Sequence, residues 1–201
     1  IAPTDTTATL HDRLAALGVG VIGVDPAQAS LDVARSKPFA DRVRWIEAPA
    51  TALPDLTADV VTMTGNVAQV FVDDDEWRAV LREVARVLAP DGRFVFETRI
   101  PSARGWEAWT PDQTRVVRDV PVEGPVETWT ELTDISLPFV SFRTTYRFPR
   151  DGAVLASDST LRFRTDDEIR ADLTDADLRV VEVHDAPDRP GREWVFEVAH
   201  T

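Results

Sequence analysis

Asp25 closes a short apolar, β-branched run, Val19-Gly-Val-Ile-Gly-Val24, and Pro26 follows it. A carboxylate there can accept two hydrogen bonds from a diol, and it can equally cap the helix that Pro26 begins. Gly65-Asn66 ends a second run, Ala58-Asp-Val-Val-Thr-Met-Thr64. The glycine admits close approach of a ligand, and the asparagine offers both a donor and an acceptor, although Gly-Asn also suits an ordinary turn. Arg99, Trp106 and Trp109 follow a third run, Arg93-Phe-Val-Phe-Glu-Thr98. They can present a cation and two aromatic walls to a substrate, or pack an insert onto a sheet.

Other reactive side chains are few. His11, His184 and His200 are the histidines. Of these, His184, at the end of an expected strand, is the candidate general base; His11 reads as a solvated helix residue and His200 as incidental. Asp73-Asp-Asp75 reads as helix N-capping, so no metal site is expected. With no cysteine, disulfides, thiolate metal sites and a cysteine nucleophile are excluded.

The net charge of −13 argues against a nucleic-acid partner, which needs clustered Lys and Arg, and Lys37 is the sole lysine. No apolar run approaches the roughly 20 residues that span a bilayer, so a cytoplasmic location without membrane association is expected. The chain's 201 residues, 43% hydrophobic and 28% charged, suit one globular α/β domain.

The elements that must position these residues alternate. Leu10, Leu14 and Leu17 mark a helix over about 9–17 that stops at Gly18. A strand over 19–24, a helix from Pro26 to about Ser36 with Ala27, Leu31 and Ala34 inward, and a strand over 43–47 follow. After a loop over 49–54 come a buried strand over 58–64 and a helix whose stripe is Trp77, Val80, Leu81, Val84 and Leu88. Pro90-Asp-Gly92 reads as a turn before the strand over 93–98. This alternation is that of a parallel sheet covered on both faces. From about 116 to 164 the pattern changes to period 2, as in antiparallel strands. A short helix over 166–175 and strands over 178–183 and 193–199 close the chain.

In this order, the segments over residues 9–99 resemble the class I S-adenosylmethionine-dependent methyltransferases that act on small molecules. The resemblance implies a Rossmann-like, mostly parallel seven-stranded sheet with helices on both faces. It also implies an antiparallel β cap inserted after the fifth strand, at about 115–165 of a single domain spanning 1–201. It implies S-adenosylmethionine as cofactor, with Asp25 on the ribose and Pro26, Ala50, Thr51, Thr64, Gly65, Asn66 and Val67 completing the cofactor site. Arg99, Trp106 and Trp109 fall on the substrate side. No catalytic residue is assigned, because displacement from a sulfonium can proceed by proximity and desolvation. The acceptor is expected to be a small molecule, and a homodimer is a possible assembly.

The chain departs from the family pattern in two respects. Its glycine-rich first motif falls on Thr4, Thr6 and Ala8, and the acid that often holds the adenine falls on Pro49. Ile1, rather than methionine, opens the chain, and the first strand of the family is not legible. Residues before or within the first nine are therefore expected to be missing from view, because a sheet without its central strand leaves buried backbone unpaired. Two other readings stay open. One is a methyltransferase-like binding module without a working cofactor loop. The other is a nicotinamide-dependent reductase, which the lone Tyr146 and Lys37 disfavour.

Overall fold

The computed structural model describes residue 14 and residues 17–120 and 123–201. The expected helix over 9–17, apart from Leu14 and Leu17, lies outside the described residues, as do His11, Thr4, Thr6 and Ala8. Gly18 does end a turn: its φ is +77°, and the Val19 N–H donates to the Leu14 carbonyl at 3.2 Å.

Strand β1 (Val21–Asp25) leads into helix α1 (Gln28–Arg35), which buries Leu31 and Ala34. Strand β2 (Val43–Glu47) then pairs in parallel with β1, Val21 opposite Val43 and Asp25 opposite Glu47. Gly23 leaves room for the Trp45 ring of the neighbouring strand, where an added Cβ would lie 2.3 Å from the ring.

Strand β3 (Ala58–Met63) starts the larger sheet. Helix α2 (Asp74–Val87) is capped by the Asp73 carboxylate, which accepts the Glu76 N–H at 2.9 Å, and three acids occupy its first turn, where the helix dipole favours them. Its stripe of Trp77, Val80, Leu81, Val84 and Val87 is at most 1% exposed. Strand β4 (Leu88–Arg99) begins directly at the helix end. The expected turn at Pro90-Asp-Gly92 is absorbed into this strand as an irregularity: Ala58 pairs with Leu88, but Val60 already pairs with Arg93.

After the cap described below, helix α4 (Asp166–Thr174) opens on a capping box between Thr165 and Glu168. Strands β9 (Leu178–Asp185) and β10 (Glu193–His200) then complete the sheet, in the order β3-β4-β10-β9. β3 and β4 are parallel, whereas β10 runs antiparallel to both β4 and β9. Phe94, Phe96 and Phe196 stack in a row 4.9 and 5.0 Å apart beneath Trp77, Leu81, Ile169 and Leu173. Burying each such side chain contributes on the order of 1.5–3 kcal/mol, which makes this layer the main stabilising core.

The cap follows β4. Short turns at Pro101–Ala103 and Gly105–Ala108 lead to helix α3 (Pro111–Thr114), then β5 (Val116–Val120), β6 (Gly124–Ser136), β7 (Phe139–Phe148) and β8 (Ala153–Arg162). These four strands form a separate antiparallel sheet in sequence order, as the period-2 pattern predicts. One face packs Val140, Leu161, Leu132 and Phe142 against Trp106, Trp109 and Phe163.

The expected single seven-stranded sheet is not what the described residues form. They form a parallel pair, β1-β2, and a mixed four-stranded sheet, β3-β4-β10-β9. Among the described residues, no strand pairs with the outer edge of β1 or of β3. The strand over 58–64, whose sequence suits burial on both faces, accordingly has Val60 58% exposed. No described helix is long and apolar enough to cross a membrane.

Candidate cofactor and substrate site

Asp25 is the last residue of β1. One of its carboxylate oxygens accepts the Ala27 N–H at 2.7 Å, which compensates for Ala27, an N-cap residue with no side-chain hydrogen bond of its own. A carboxylate accepts up to about four hydrogen bonds, so this contact leaves capacity for a diol. The Asp25 carbonyl in turn accepts the Ala48 N–H at 3.3 Å, and Pro49 to Ala52 forms a turn closed at 3.1 Å. Ala50 and Thr51 therefore sit on a turn tethered to the end of β1. Leu53, just beyond, donates its N–H to Glu83 at 2.8 Å, and Arg86 donates to the Leu53 carbonyl at 2.7 Å. Helix α2 thus fixes the loop, and the Arg86 hydrogen bond holds the Glu83 carboxyl below its usual range.

The end of β3 is more tightly built. Gly65 and Asn66 both adopt left-handed backbone, at φ +70° and +59°, a conformation that glycine and asparagine tolerate best. Both N–H groups donate to Glu97 Oε1 on β4, that of Asn66 at 3.3 Å. Val67 opens the short turn Val67–Gln69, so the chain bends away immediately after Asn66. Asn66 Nδ2 donates to Glu193 Oε1 at 3.1 Å, and Arg189 donates to the same oxygen at 2.7 Å.

Arg99 joins this cluster to the cap. It donates to Gln69 Oε1 at 2.9 Å, lies 3.7 Å from Glu193, and stands 5.4 Å over the Trp109 ring. Burial pulls its guanidinium pKa down, against the field of Glu193. Trp109 packs edge-on to Phe142 at 4.9 Å, and its carbonyl accepts the Leu132 N–H at 3.2 Å. Trp106 is instead enclosed, at 1% exposure and 4.6 Å from Phe163, and forms the core of the cap.

The expected residues thus fall into two groups. Asp25 and Pro26 stand beside the Ala50-Thr51 turn, while Thr64 to Val67 connect through Gln69 and Glu193 to Arg99 and Trp109. Each group lies at the carboxyl end of a parallel strand, where open α/β sheets bind ligands. Glu97, Gln69, Arg189 and Glu193 escaped the sequence reading. Alternation along β4, with Phe94 and Phe96 inward, sets Glu97 and Arg99 on the other face and offered a signal for Glu97. Glu193 gave none, since its amide partner is 127 residues away.

His184 lies on β9, 3.7 Å from Glu182 and 3.9 Å from Glu197. These three side chains bring ligand-type atoms within 4.8 Å of one another, and Arg93 already donates to Glu197 at 3.1 Å. His200 meets the Leu88 carbonyl at 3.1 Å and ties the end of β10 to the start of β4.

Residues 5–92 match the family model described as a methyltransferase domain. The chain is 34% identical over 90 residues to the cypemycin N-terminal methyltransferase of a Streptomyces species. That alignment covers 44% of this chain and 37% of the relative, so well under half of the relative's length is represented. The CcbJ methyltransferase of Streptomyces caelestis superimposes with a TM-score of 0.75 at 21% identity, over 94% of this chain and 77% of that one. CalS10 of Micromonospora echinaspora, an amino pentose methyltransferase solved with S-adenosylmethionine bound, gives 0.66 at 19% identity, over 94% and 79%. Residues 5–92 are thus similar to a methyltransferase domain, and the fold of the chain is the one these solved methyltransferases share.

Proposed function

We propose that the chain transfers a methyl group from S-adenosylmethionine to a small molecule by in-line displacement. The observation that carries the reading is the Gly65-Asn66 turn, held in left-handed backbone at the carboxyl end of β3 by Glu97. In this reading Asp25 holds the ribose diol, with Pro26 at its side. Ala50 and Thr51 border the adenine, and Thr64 to Val67 border the methionine end. Arg99 and Trp109 lie on the substrate side and Trp106 supports them from within the cap. When bound, the cofactor supplies an activated methyl group. The protein's share is to orient the two reactants and exclude water, which is where most of the rate in such a displacement arises.

The chain is taken as one methyltransferase domain, with β5 to β8 as its substrate cap. The negative charge favours a small molecule over nucleic acid. A cytoplasmic location and a possible homodimer belong to the same reading.

Isothermal titration with S-adenosylhomocysteine, with NADH as control, tests it. We expect saturable binding of the first alone, weakened at least tenfold in Asp25→Ala, since a hydrogen bond to a charged group is worth about 1.5–3 kcal/mol. A folded protein that binds neither nucleotide is a binding module instead.

A further inference from the structure

Asn66 is 2% exposed, yet its Oδ1 has no hydrogen-bond partner among the described residues. The amide cannot simply reverse. Its Nδ2 serves Glu193 at 3.1 Å, and a flip would set oxygen against a carboxylate. The backbone is equally constrained, because the Gly65 and Asn66 N–H groups share Glu97 Oε1. Nearby cations are committed elsewhere: Arg99 to Gln69 and Arg189 to Glu193. A buried acceptor in this position calls for a donor from outside the protein.

We propose that Asn66 Oδ1 receives an N–H of the methyl acceptor, and that the acceptor is an amine. The proposal rests on the methyltransferase reading above, which sets Asn66 beside the transferring methyl group. An amide oxygen can hold and aim an N–H, but it cannot remove a proton. A hydroxyl acceptor needs a base, whereas a neutral amine attacks with its own lone pair. Among the described residues the histidines do not serve this turn, since His184 stands between Glu182 and Glu197 on the outermost strand and His200 meets Leu88 at the far end of β10. The carboxylates that reach it already accept from protein donors, Glu97 from the Gly65 and Asn66 N–H groups and Glu193 from Asn66 and Arg189. In the transfer the amine lone pair forms the N–C bond to the methyl carbon as the S–C bond breaks. The electrons of that bond remain on sulfur, giving a neutral thioether, and the methylated nitrogen then loses its extra proton to water.

Sinefungin, in which an amine-bearing carbon replaces the methyl-sulfonium, places an N–H donor at this point. S-adenosylhomocysteine does not. Titrations of the unmodified chain are expected to favour sinefungin about tenfold, the worth of one hydrogen bond from a charged donor. Asn66→Gly tolerates the left-handed backbone and is expected to bind the two equally. Asn66→Ser keeps an oxygen acceptor without setting a second charge against Glu193 and is expected to retain part of the preference. Equal binding by the unmodified chain, a preference that survives in Asn66→Gly, or one that Asn66→Ser loses as fully as Asn66→Gly each overturns the proposal. If Asn66→Gly does not fold, the other two titrations decide. Failure of both nucleosides to bind refutes the methyltransferase reading itself, and the proposal with it.

Discussion

Gly23 illustrates how a single residue sets local geometry in this chain. Its Cα faces the Trp45 ring across the β1-β2 ladder, and that indole is held in place by a hydrogen bond from Nε1 to the Ala40 carbonyl at 3.2 Å. A methyl group there has to displace the ring or part the strands. We expect Gly23→Ala to lower stability by about 1–3 kcal/mol, read by chemical denaturation together with a change in indole fluorescence. An unaltered midpoint would show that the ring moves aside freely. Residues were legible in the sequence where a local rule placed them. Asp25 ended a β-branched run, and Gly65-Asn66, a pair suited to turns, stood at the end of another. Glu97 and Glu193 meet Asn66 from 31 and 127 residues away, and no local pattern encodes such distances.

Among the elements, the cap shows how charge holds a sheet. Glu127, only 8% exposed, accepts from Arg115 at 2.6 Å and also meets Arg147, while Arg115 lies 4.6 Å over Trp129. The Arg115 hydrogen bond holds the Glu127 carboxyl below its ordinary 4.5. A depressed folded value means that the ionised form stabilises the fold. That contribution is complete above about pH 4.5 and drains away as the pH falls through the lower folded value. Glu127→Gln is therefore expected to melt earlier at neutral pH and to lose less on acidification, measured as melting temperature against pH. Parallel acid profiles for the two proteins would remove Glu127 from the account. The helix α2 stripe apart from Leu88, which opens β4 instead, the capping of α2 by Asp73 and the period-2 strands of the cap were all readable in advance, because each follows from spacing within one element. The turn expected at Pro90-Asp-Gly92 was not realised as a separate turn, since pairing with β3 draws those residues into β4.

At the scale of the molecule, the order of strands was only partly readable, because a sheet is assembled from pairings that no single segment contains. The sequence pattern supports one continuous sheet. The described residues instead form a parallel pair and a four-stranded sheet with separate cores, Val21 and Val43 in one and the aromatic stack in the other. Two-stranded pairs have little independent stability. Amides of β1 and β2 are accordingly expected to exchange with deuterium well before those of β4 and β10. The proposed ligand touches both parts, with its ribose at Asp25 and its methionine end near Gly65. Binding confined to one conformation stabilises in proportion to the logarithm of ligand concentration. A nucleoside seated here thus acts as a mechanical staple, and its largest effect on exchange should fall on residues 19–47 rather than on the core. Uniform protection across both sheets would mean that the two parts already move as one body. Among the described residues β1-β2 shares no backbone pairing with β3 or β4, so a nucleoside bound as proposed would add a tie between the two parts that their ladders do not make.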